Sequence, residues 1–370
     1  MTLRTLYSKL FGFILSYFKR RSWGCFSNIS FKNRFCFSIL YSCFLLATLG
    51  ACQKSPPPVI NFYHWKAQFN LNKKEIEYLS KLQSQTLYLR LFDVDFHPEK
   101  GVVPVGNTQI VDSIYTTAFV GVVFITNRTM LQIKPSKLQD LAQKITKKIV
   151  EKTKKMPLKG IQLDCDWSEK SQENFFQLCA LVRQICQQKN LELSATIRLH
   201  QFKYKKQTGV PPVDRGVLML YNVGDIDGKN TENSILEQRK VSEYLQNIEK
   251  YPLPLSVALP LFRWAVVQRM GKTTHLLSQI EKADIEQNKY IEKIQKNLYT
   301  VKENHYFSGV YLYEGDTLRW EEITWESLEK LSEMISLKVA TQELIFYHLD
   351  SKIINLFPYE KLKNLVNYWH

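Results

Sequence analysis

Two aspartates at the end of one predicted strand are the residues of this sequence best suited to chemistry. In the segment 158–167 (LKGIQLDCDW), apolar residues alternate with Gln162, Asp164 and Asp166. Because successive side chains of a strand point to opposite faces, both carboxyl groups project to the same side. Neighbouring carboxyl groups are typical of sites that use a general acid and a carboxylate base or nucleophile. The spacing therefore suggests acid–base chemistry at the C-terminal end of this strand.

Alternating strands and helices predict a (β/α)8 TIM-like barrel as the element arrangement that positions these aspartates. The candidate strands are 59–65, 86–95, 119–126, 160–167, 192–200, 216–222, 253–259 and 308–314. The clearest helix is predicted at 135–155, and a similar pattern predicts another at 284–298. A doubly wound open sheet is the alternative, but no glycine-rich phosphate loop follows the first strand. A further strand at 344–349 and a terminal helix near 359–368 predict a C-terminal strand-helix appendage, although this strand could instead be the true eighth.

Polar and aromatic side chains gather at the C-terminal ends of these strands, where parallel barrels build their active sites. They are His64 and Trp65, Asp93, Arg198 and His200, Tyr221, Trp264, and Tyr313 with Glu314. Flat aromatic faces suit sugar rings, and the charged side chains can form hydrogen bonds with hydroxyl groups. The combination predicts a glycan-binding cleft. The alternative is a network of Asp–Arg pairs, such as Arg198 with Asp164, that only fills the barrel mouth.

The segment 160–167 resembles the fourth-strand motif of family 18 glycoside hydrolases, in which acids at alternate positions end in a catalytic Glu. The chain after residue 51 also resembles a family of uncharacterised bacterial barrel proteins of the glycoside-hydrolase type. That second resemblance lies in the fourth strand, in 193–201 and in 211–216 (PPVDRG). By position, the family 18 resemblance implies that Asp166 protonates the glycosidic oxygen and that Asp164 orients an acetamido group that attacks the anomeric carbon. Tyr221 would help to hold the reacting group.

This sequence departs from the family 18 motif in three places. Lys159 and Gln162 stand where the motif has its first acids, and Asp166 replaces the Glu, which shortens its reach by about 1.5 Å. We expect Asp164 to raise the pKa of Asp166, because adjacent like charges disfavour double ionisation. A different glycoside hydrolysis could pair Asp166 with Glu314 or Asp93. The departures also allow a non-catalytic carbohydrate-binding lipoprotein as the alternative function.

The first 51 residues predict a secretory signal peptide that ends in a lipobox. They contain seven basic residues and no acidic residue, and an apolar run at 35–49 precedes Leu49-Gly50-Ala51-Cys52. That run is short for a membrane span of about 20 residues. Residues 52–58 are then predicted to be a lipidated Cys52 and a Pro-rich tether. The barrel is predicted at 59–337 and the appendage at 338–370. The expected protein is lipid-anchored in the cell membrane or outer membrane, with its domain in the periplasm or at the cell surface.

Composition narrows the partners that the sequence predicts. Removing the signal lowers the net charge from +15 to +8, because seven basic residues leave with it. The basic run at 147–155 lacks interleaved aromatic residues and indicates a solvated helix face rather than a nucleic-acid site. Asp93, Asp95 and His97 could hold a cation in a metal-dependent hydrolase, although a solvated strand end is the favoured interpretation. We therefore expect a glycan and the membrane as partners, with no nucleic acid, metal or cofactor.

Overall fold

The computed structural model describes residues 56–111, 118–228, 230–246 and 248–369. The strands are β1 (Val59–His64), β2 (Gln68–Phe69), β3 (Thr86–His97), β4 (Gly101–Val105), β5 (Gln109–Ile110), β6 (Ala118–Ile125), β7 (Leu158–Asp164), β8 (Glu192–Arg198), β9 (Arg215–Met219), β10 (Leu255–Pro260), β11 (Arg263–Arg269), β12 (Lys272–Leu277), β13 (Ile291–Gln295), β14 (Leu298–Val301), β15 (His305–Phe307), β16 (Val310–Leu312), β17 (Thr317–Glu322) and β18 (Glu343–Tyr347). The helices are α1 (Lys73–Lys81), α2 (Asn127–Gln132), α3 (Leu138–Lys152), α4 (Gln172–Gln188), α5 (Leu199–Lys203), α6 (Lys205–Thr208), α7 (Gln238–Leu245), α8 (Lys282–Glu286), α9 (Trp325–Ser336), α10 (Ser351–Ile354) and α11 (Tyr359–Leu365).

Eight parallel strands form the barrel that positions the two aspartates. They follow one another around it in the order β1, β3, β6, β7, β8, β9, β10 and β18. The strand β1 pairs with both β3 and β18, so the sheet closes on itself. This closure confirms the predicted (β/α)8 barrel and excludes the open-sheet alternative.

The eighth barrel strand is β18, the alternative that the sequence left open, and not the segment 308–314. Leu344 and Ile345 of β18 are buried and pair with β1 on one side and β10 on the other. Within 308–314 only β16 is a strand, and it pairs antiparallel with β15 in a separate two-stranded sheet. The prediction of a C-terminal appendage at 338–370 is therefore corrected, since this segment supplies a barrel strand. Both segments are short and contain apolar and aromatic residues, and long-range pairing decides which one joins the barrel.

An antiparallel sheet is inserted between β10 and β18. Its five strands lie in the order β12, β11, β17, β14 and β13. Ala265, Val267, Tyr299, Leu318 and Trp320 are buried in a core of their own. A helix predicted at 284–298 was wrong, because only α8 is helical there and β13 and β14 follow as a hairpin.

The barrel lumen is polar at the N-terminal ends of the strands. Glu343 accepts hydrogen bonds from Asn61 Nδ2 at 2.6 Å, Ser256 Oγ at 2.5 Å and the Tyr88 hydroxyl at 2.9 Å. Each donor lies on a different barrel strand, so this one carboxylate joins four strands of the wall. A buried carboxylate needs such partners, because an unpaired one would be costly to desolvate.

Residues 56–370 form a compact unit with its own apolar core, which runs from Ile60 to Trp369. The amphipathic helix α3 packs Leu138, Ala142 and Ile149 into it, as the sequence pattern predicted. Among the described helices, none is both long and apolar enough to cross a membrane. The predicted signal peptide, the lipobox and Cys52 lie outside the described residues.

Candidate active site at the barrel mouth

Asp164 and Asp166 lie at the C-terminal mouth of the barrel and are held by β8, the neighbouring parallel strand. Thr196 Oγ1 donates a hydrogen bond of 2.7 Å to Asp164 Oδ1. Arg198 forms a bidentate ion pair with Asp166, in which Nη2 donates to Oδ2 at 2.7 Å and Nε donates to Oδ1. The pairing follows from strand geometry, because alternate residues of β7 and β8 face the same side of the sheet.

The two aspartates differ in exposure and in the groups that surround them. Asp164 is only 7% exposed, and burial, with the charge of Asp166, raises its pKa to about 6 against the opposing effects of Arg198 and Thr196. The Asp166 side chain is 44% exposed, and its bidentate pair with a guanidinium uses the ionised carboxylate. The sequence led us to expect the raised pKa at Asp166. The structure assigns it to Asp164, because the deeper of the two positions is the more desolvated one.

Aromatic side chains surround Asp164 at the mouth. Tyr347 packs against Tyr221, with ring centroids 5.1 Å apart, and against Trp65 at 5.7 Å and Tyr63 at 5.9 Å. Burial and the nearby Asp164 raise the pKa of Tyr347, so its hydroxyl stays protonated and can donate a hydrogen bond. Tyr347 was missed in the sequence because its strand was not assigned to the barrel.

A cleft of about 670 Å³ adjoins this aromatic cluster, between the barrel rim and the inserted sheet. Trp65, Asn222 and Tyr347 line it from the barrel, and Trp264 and Glu281 line it from the inserted segment. Neither Asp164 nor Asp166 belongs to its lining. The cleft therefore approaches Asp164 through Tyr347, which lines the cleft and interacts with Asp164.

Two further predicted site residues, Asp93 and Trp264, each form a hydrogen bond with another side chain near the mouth. Asp93 accepts a hydrogen bond from Arg90 Nε at 2.8 Å, and the Arg90 guanidinium lies over the Trp65 ring at 5.7 Å. Trp264 donates from Nε1 to the buried Glu321 at 2.8 Å, which fixes its ring at the cleft. Arg90 was not among the predicted site residues, since an Arg within a strand gave no separate signal.

Solved structures with a similar fold include several chitinases. A class V chitinase from Pseudomonas fluorescens gives a TM-score of 0.50 at 11% identity, over 84% of this chain and 99% of that chain. A group IV chitinase from Ostrinia furnacalis in complex with allosamidin gives 0.49 at 12%, over 84% and 98%. The spore cortex-lytic enzyme SleL of Bacillus megaterium gives 0.48 at 14%, over 86% and 75%.

This chain shares its barrel fold with a chitinase. At such low identity the likeness shows the fold alone, and it is consistent with the resemblance to family 18 on the fourth strand. No family profile and no curated protein matches the chain, so the resemblance to an uncharacterised lipoprotein family finds no support.

Glu314 and Tyr313 do not lie on a barrel strand, which corrects their predicted place at the mouth. Both follow β16 in the inserted segment, where Glu314 is exposed. The Tyr313 ring packs under Arg269, whose guanidinium lies 4.1 Å from its centroid, and Arg269 is paired with Asp316. Their predicted place at the mouth depended on 308–314 being the eighth barrel strand, and it is wrong because that strand is β18.

His64 points away from the lumen, which corrects its prediction as a substrate-binding residue. On β1 the side chains of Asn61 and Tyr63 face the lumen, so alternation turns His64 to the opposite face. There it is fully buried against Phe69, and burial lowers its pKa to about 3. His200, by contrast, lies on α5 beside Arg198 and is partly exposed. Partial burial of its ring lowers its pKa, and so does the positive charge of Arg198.

Two of the three proposed metal ligands of β3, Asp93 and Asp95, are engaged by arginines instead. Asp95 pairs with Arg128 at 2.5 Å and accepts a hydrogen bond from Thr126 at 2.7 Å, while Asp93 pairs with Arg90. Within the described part of the chain, no group of three His, Cys, Asp or Glu side chains is arranged to hold a metal ion. The metal-dependent interpretation therefore gains no support from the geometry.

Proposed function

We propose that this protein hydrolyses glycosidic bonds at the mouth of its barrel. The supporting observation is the pair Asp164 and Asp166, two carboxyl groups of one strand, of which the buried Asp164 has a pKa raised to about 6 and the more exposed Asp166 is paired with Arg198. Glycoside hydrolysis uses one carboxylic acid to protonate the leaving oxygen and one carboxylate to act on the sugar or on water. Asp164 is the proton donor and Asp166 the carboxylate. These roles are the reverse of those that the family 18 resemblance implies.

Glycans of the cell envelope or the environment are the proposed substrates. Trp65 and Tyr347 present aromatic faces at the cleft, where sugar rings can stack. A chitinase is among the proteins with this fold, which makes amino-sugar polymers the first glycans to test.

The second candidate is a carbohydrate-binding lipoprotein without turnover. The observation that favours it is the bidentate pair between Arg198 and Asp166. A carboxylate whose two oxygens both accept from one guanidinium is less available to a sugar or to a water molecule. In that case the mouth would hold a glycan and leave it intact.

Binding and turnover measured on the same glycans distinguish the two candidates. Purified residues 53–370 are screened against chitin oligosaccharides, peptidoglycan fragments and plant polysaccharides, with wild type and Asp166→Asn side by side. Hydrolysis predicts wild-type turnover that Asp166→Asn loses while binding remains. Binding by both proteins with no turnover by either identifies the second candidate and rules out the first.

We also propose that a lipid on Cys52 anchors the barrel to the cell membrane or outer membrane. The sequence Leu49-Gly50-Ala51-Cys52 after an apolar run supports the anchor. Cys52→Ala should move the protein from the membrane fraction to the soluble fraction of cells that express it. Unchanged sedimentation with membranes in the Cys52→Ala variant would contradict the anchor.

A further inference from the structure

The N-terminal ends of the barrel strands carry a set of exposed lysines at the pole opposite the active-site mouth. They lie just before, or at the start of, four barrel strands: Lys154, Lys155 and Lys159 at β7, Lys189 at β8, Lys250 at β10 and Lys338 at β18. We call this set the basic pole. Because the barrel strands are parallel, their N-terminal ends share one rim. The lysines flank that rim on two sides, since β7 adjoins β8 and β10 adjoins β18.

The positive charge of the basic pole is not neutralised within the described part of the chain. No ion pair among the described residues includes any of the six lysines, whereas Lys144 on the nearby helix α3 pairs with Asp140. Three acids close to this rim have other partners: Glu192 pairs with Arg215, Asp214 with Arg183, and Glu249 with Lys205 and Lys206. The rim therefore presents uncompensated cations to its surroundings.

The chain enters the barrel at this same pole. The first strand β1 begins at Val59, so its N-terminal end shares the rim with the basic pole. In the sequence, Cys52 precedes Val59 by seven residues, which span at most about 25 Å when fully extended. A lipid on Cys52 would therefore keep this rim close to the bilayer surface.

We propose that the basic pole rests on the anionic phospholipid head groups of the membrane that holds the lipid anchor. The inference depends on the anchor proposed above, since the tether brings this rim to the bilayer. Lysines near anionic head groups add an electrostatic attraction to the attachment that a lipid on Cys52 supplies. Leu337, which is 78% exposed beside Lys338, adds an apolar contact at the same rim. Asp164 and Asp166 then face away from the membrane, towards incoming glycan.

Vesicle sedimentation without the lipid anchor isolates the contribution of the basic pole. Residues 53–370 are mixed with phosphatidylcholine vesicles, with and without phosphatidylglycerol, at low and high salt. The test variant combines Lys154→Gln, Lys155→Gln, Lys189→Gln and Lys338→Gln. The control combines Lys100→Gln, Lys293→Gln, Lys296→Gln and Lys302→Gln, which removes the same charge from exposed lysines elsewhere on the chain.

We expect binding only to vesicles that contain phosphatidylglycerol, and weaker binding at high salt because salt screens surface charge. Each lysine near an anionic bilayer contributes about fivefold, so the pole variant should bind on the order of several hundredfold more weakly. The control should stay within about threefold of wild type. Equal losses in both variants would reduce the effect to net charge and overturn the proposal.

Two further outcomes would also overturn it. One is no binding of wild type to anionic vesicles at low salt. The other is a lysine-dependent association with duplex DNA or RNA in place of vesicles. None of these measurements uses the anchor or a glycan. A failure of the basic pole is therefore distinguishable from a failure of Cys52 lipidation or of glycan hydrolysis.

Discussion

Asp164 and Asp166 are two residues apart on one strand, yet their surroundings give them different chemistry. Asp164 lies deep among tyrosines and accepts one hydrogen bond from Thr196, whereas Asp166 reaches solvent and is paired with Arg198. The sequence predicted that an arginine of the fifth strand pairs with an acid of the fourth, with Asp164 as the example. The structure pairs it with Asp166. Strand alternation predicts that Asp164, Asp166 and Arg198 face the same side of the sheet. Which aspartate lies opposite Arg198 depends on the register between β7 and β8, which the sequence does not give.

The raised pKa of Asp164 predicts how the stability of the protein depends on pH. Burial raises its folded-state pKa to about 6 from an ordinary value of 3.8, so the folded state binds this proton more tightly than the unfolded state. The wild type therefore loses stability as pH rises through that window. Asp164→Asn lacks this loss. Its free energy of unfolding, relative to wild type, should rise by about 2 kcal/mol between pH 4 and pH 6, measured by urea denaturation.

Asp95→Asn is the control for this pH dependence. Hydrogen bonds from Arg128 and Thr126 lower the pKa of Asp95, so its stabilising effect is present above its ordinary value and lost at low pH. The Asp95 variant should therefore show the opposite sign. A stability difference between Asp164→Asn and wild type that does not change with pH would contradict the assigned protonation.

Trp65 should be a main contact for glycan. It lies at the rim between Tyr347 and the cleft, partly exposed, with Arg90 over its ring. Trp65→Ala should weaken binding of the best glycan at least tenfold, since central aromatic residues dominate binding energy at such surfaces. Tyr306→Ala, which removes a 78% exposed ring on β15, is the control and should leave affinity unchanged. Isothermal titration with equal affinities for Trp65→Ala and wild type would exclude this role.

At the scale of elements, local pattern predicted most of the barrel and failed where long-range pairing decides. The strand β7 was clear because apolar and polar residues alternate along it. The eighth strand was not clear from the sequence, because 308–314 and 344–349 are both short segments with apolar residues. Pairing with β1 and β10 identifies 344–349 as part of the barrel. The helix predicted at 284–298 is replaced by a hairpin that turns at Asn297, whose φ of 62° suits a tight turn and not a helix.

Ending the chain after residue 337 tests the assignment of the eighth strand. Without β18, the edges of β1 and β10 lose their partners, and Asn61, Tyr88 and Ser256 lose the acceptor Glu343. We expect no cooperative thermal unfolding by circular dichroism. Replacing residues 305–312 with a short glycine linker is the control and should leave the barrel folded, because β15 and β16 pair only with each other. Native-like unfolding of the truncated chain would show that the barrel closes without β18.

At the scale of the whole molecule, the barrel separates two surfaces for which we propose different partners. The mouth carries the two aspartates, the aromatic cluster and the adjoining cleft, and the opposite rim carries the basic pole and the entry of the tether. The sequence could predict the mouth, since its residues end consecutive strands. It could not predict the cleft, because the inserted sheet that forms one wall is brought there by tertiary packing.

Reducing-end release from the best-bound glycan, followed across pH, tests the central claim most directly. We predict that wild-type turnover falls as pH rises through about 6, because Asp164 must hold its proton to donate it. Asp164→Asn and Asp166→Asn should each lower kcat by about a hundredfold or more while glycan binding persists. Glu314→Gln, in the exposed turn after β16, should match wild type. Wild-type turnover no higher than that of Asp164→Asn on every glycan that binds would contradict hydrolysis at this site.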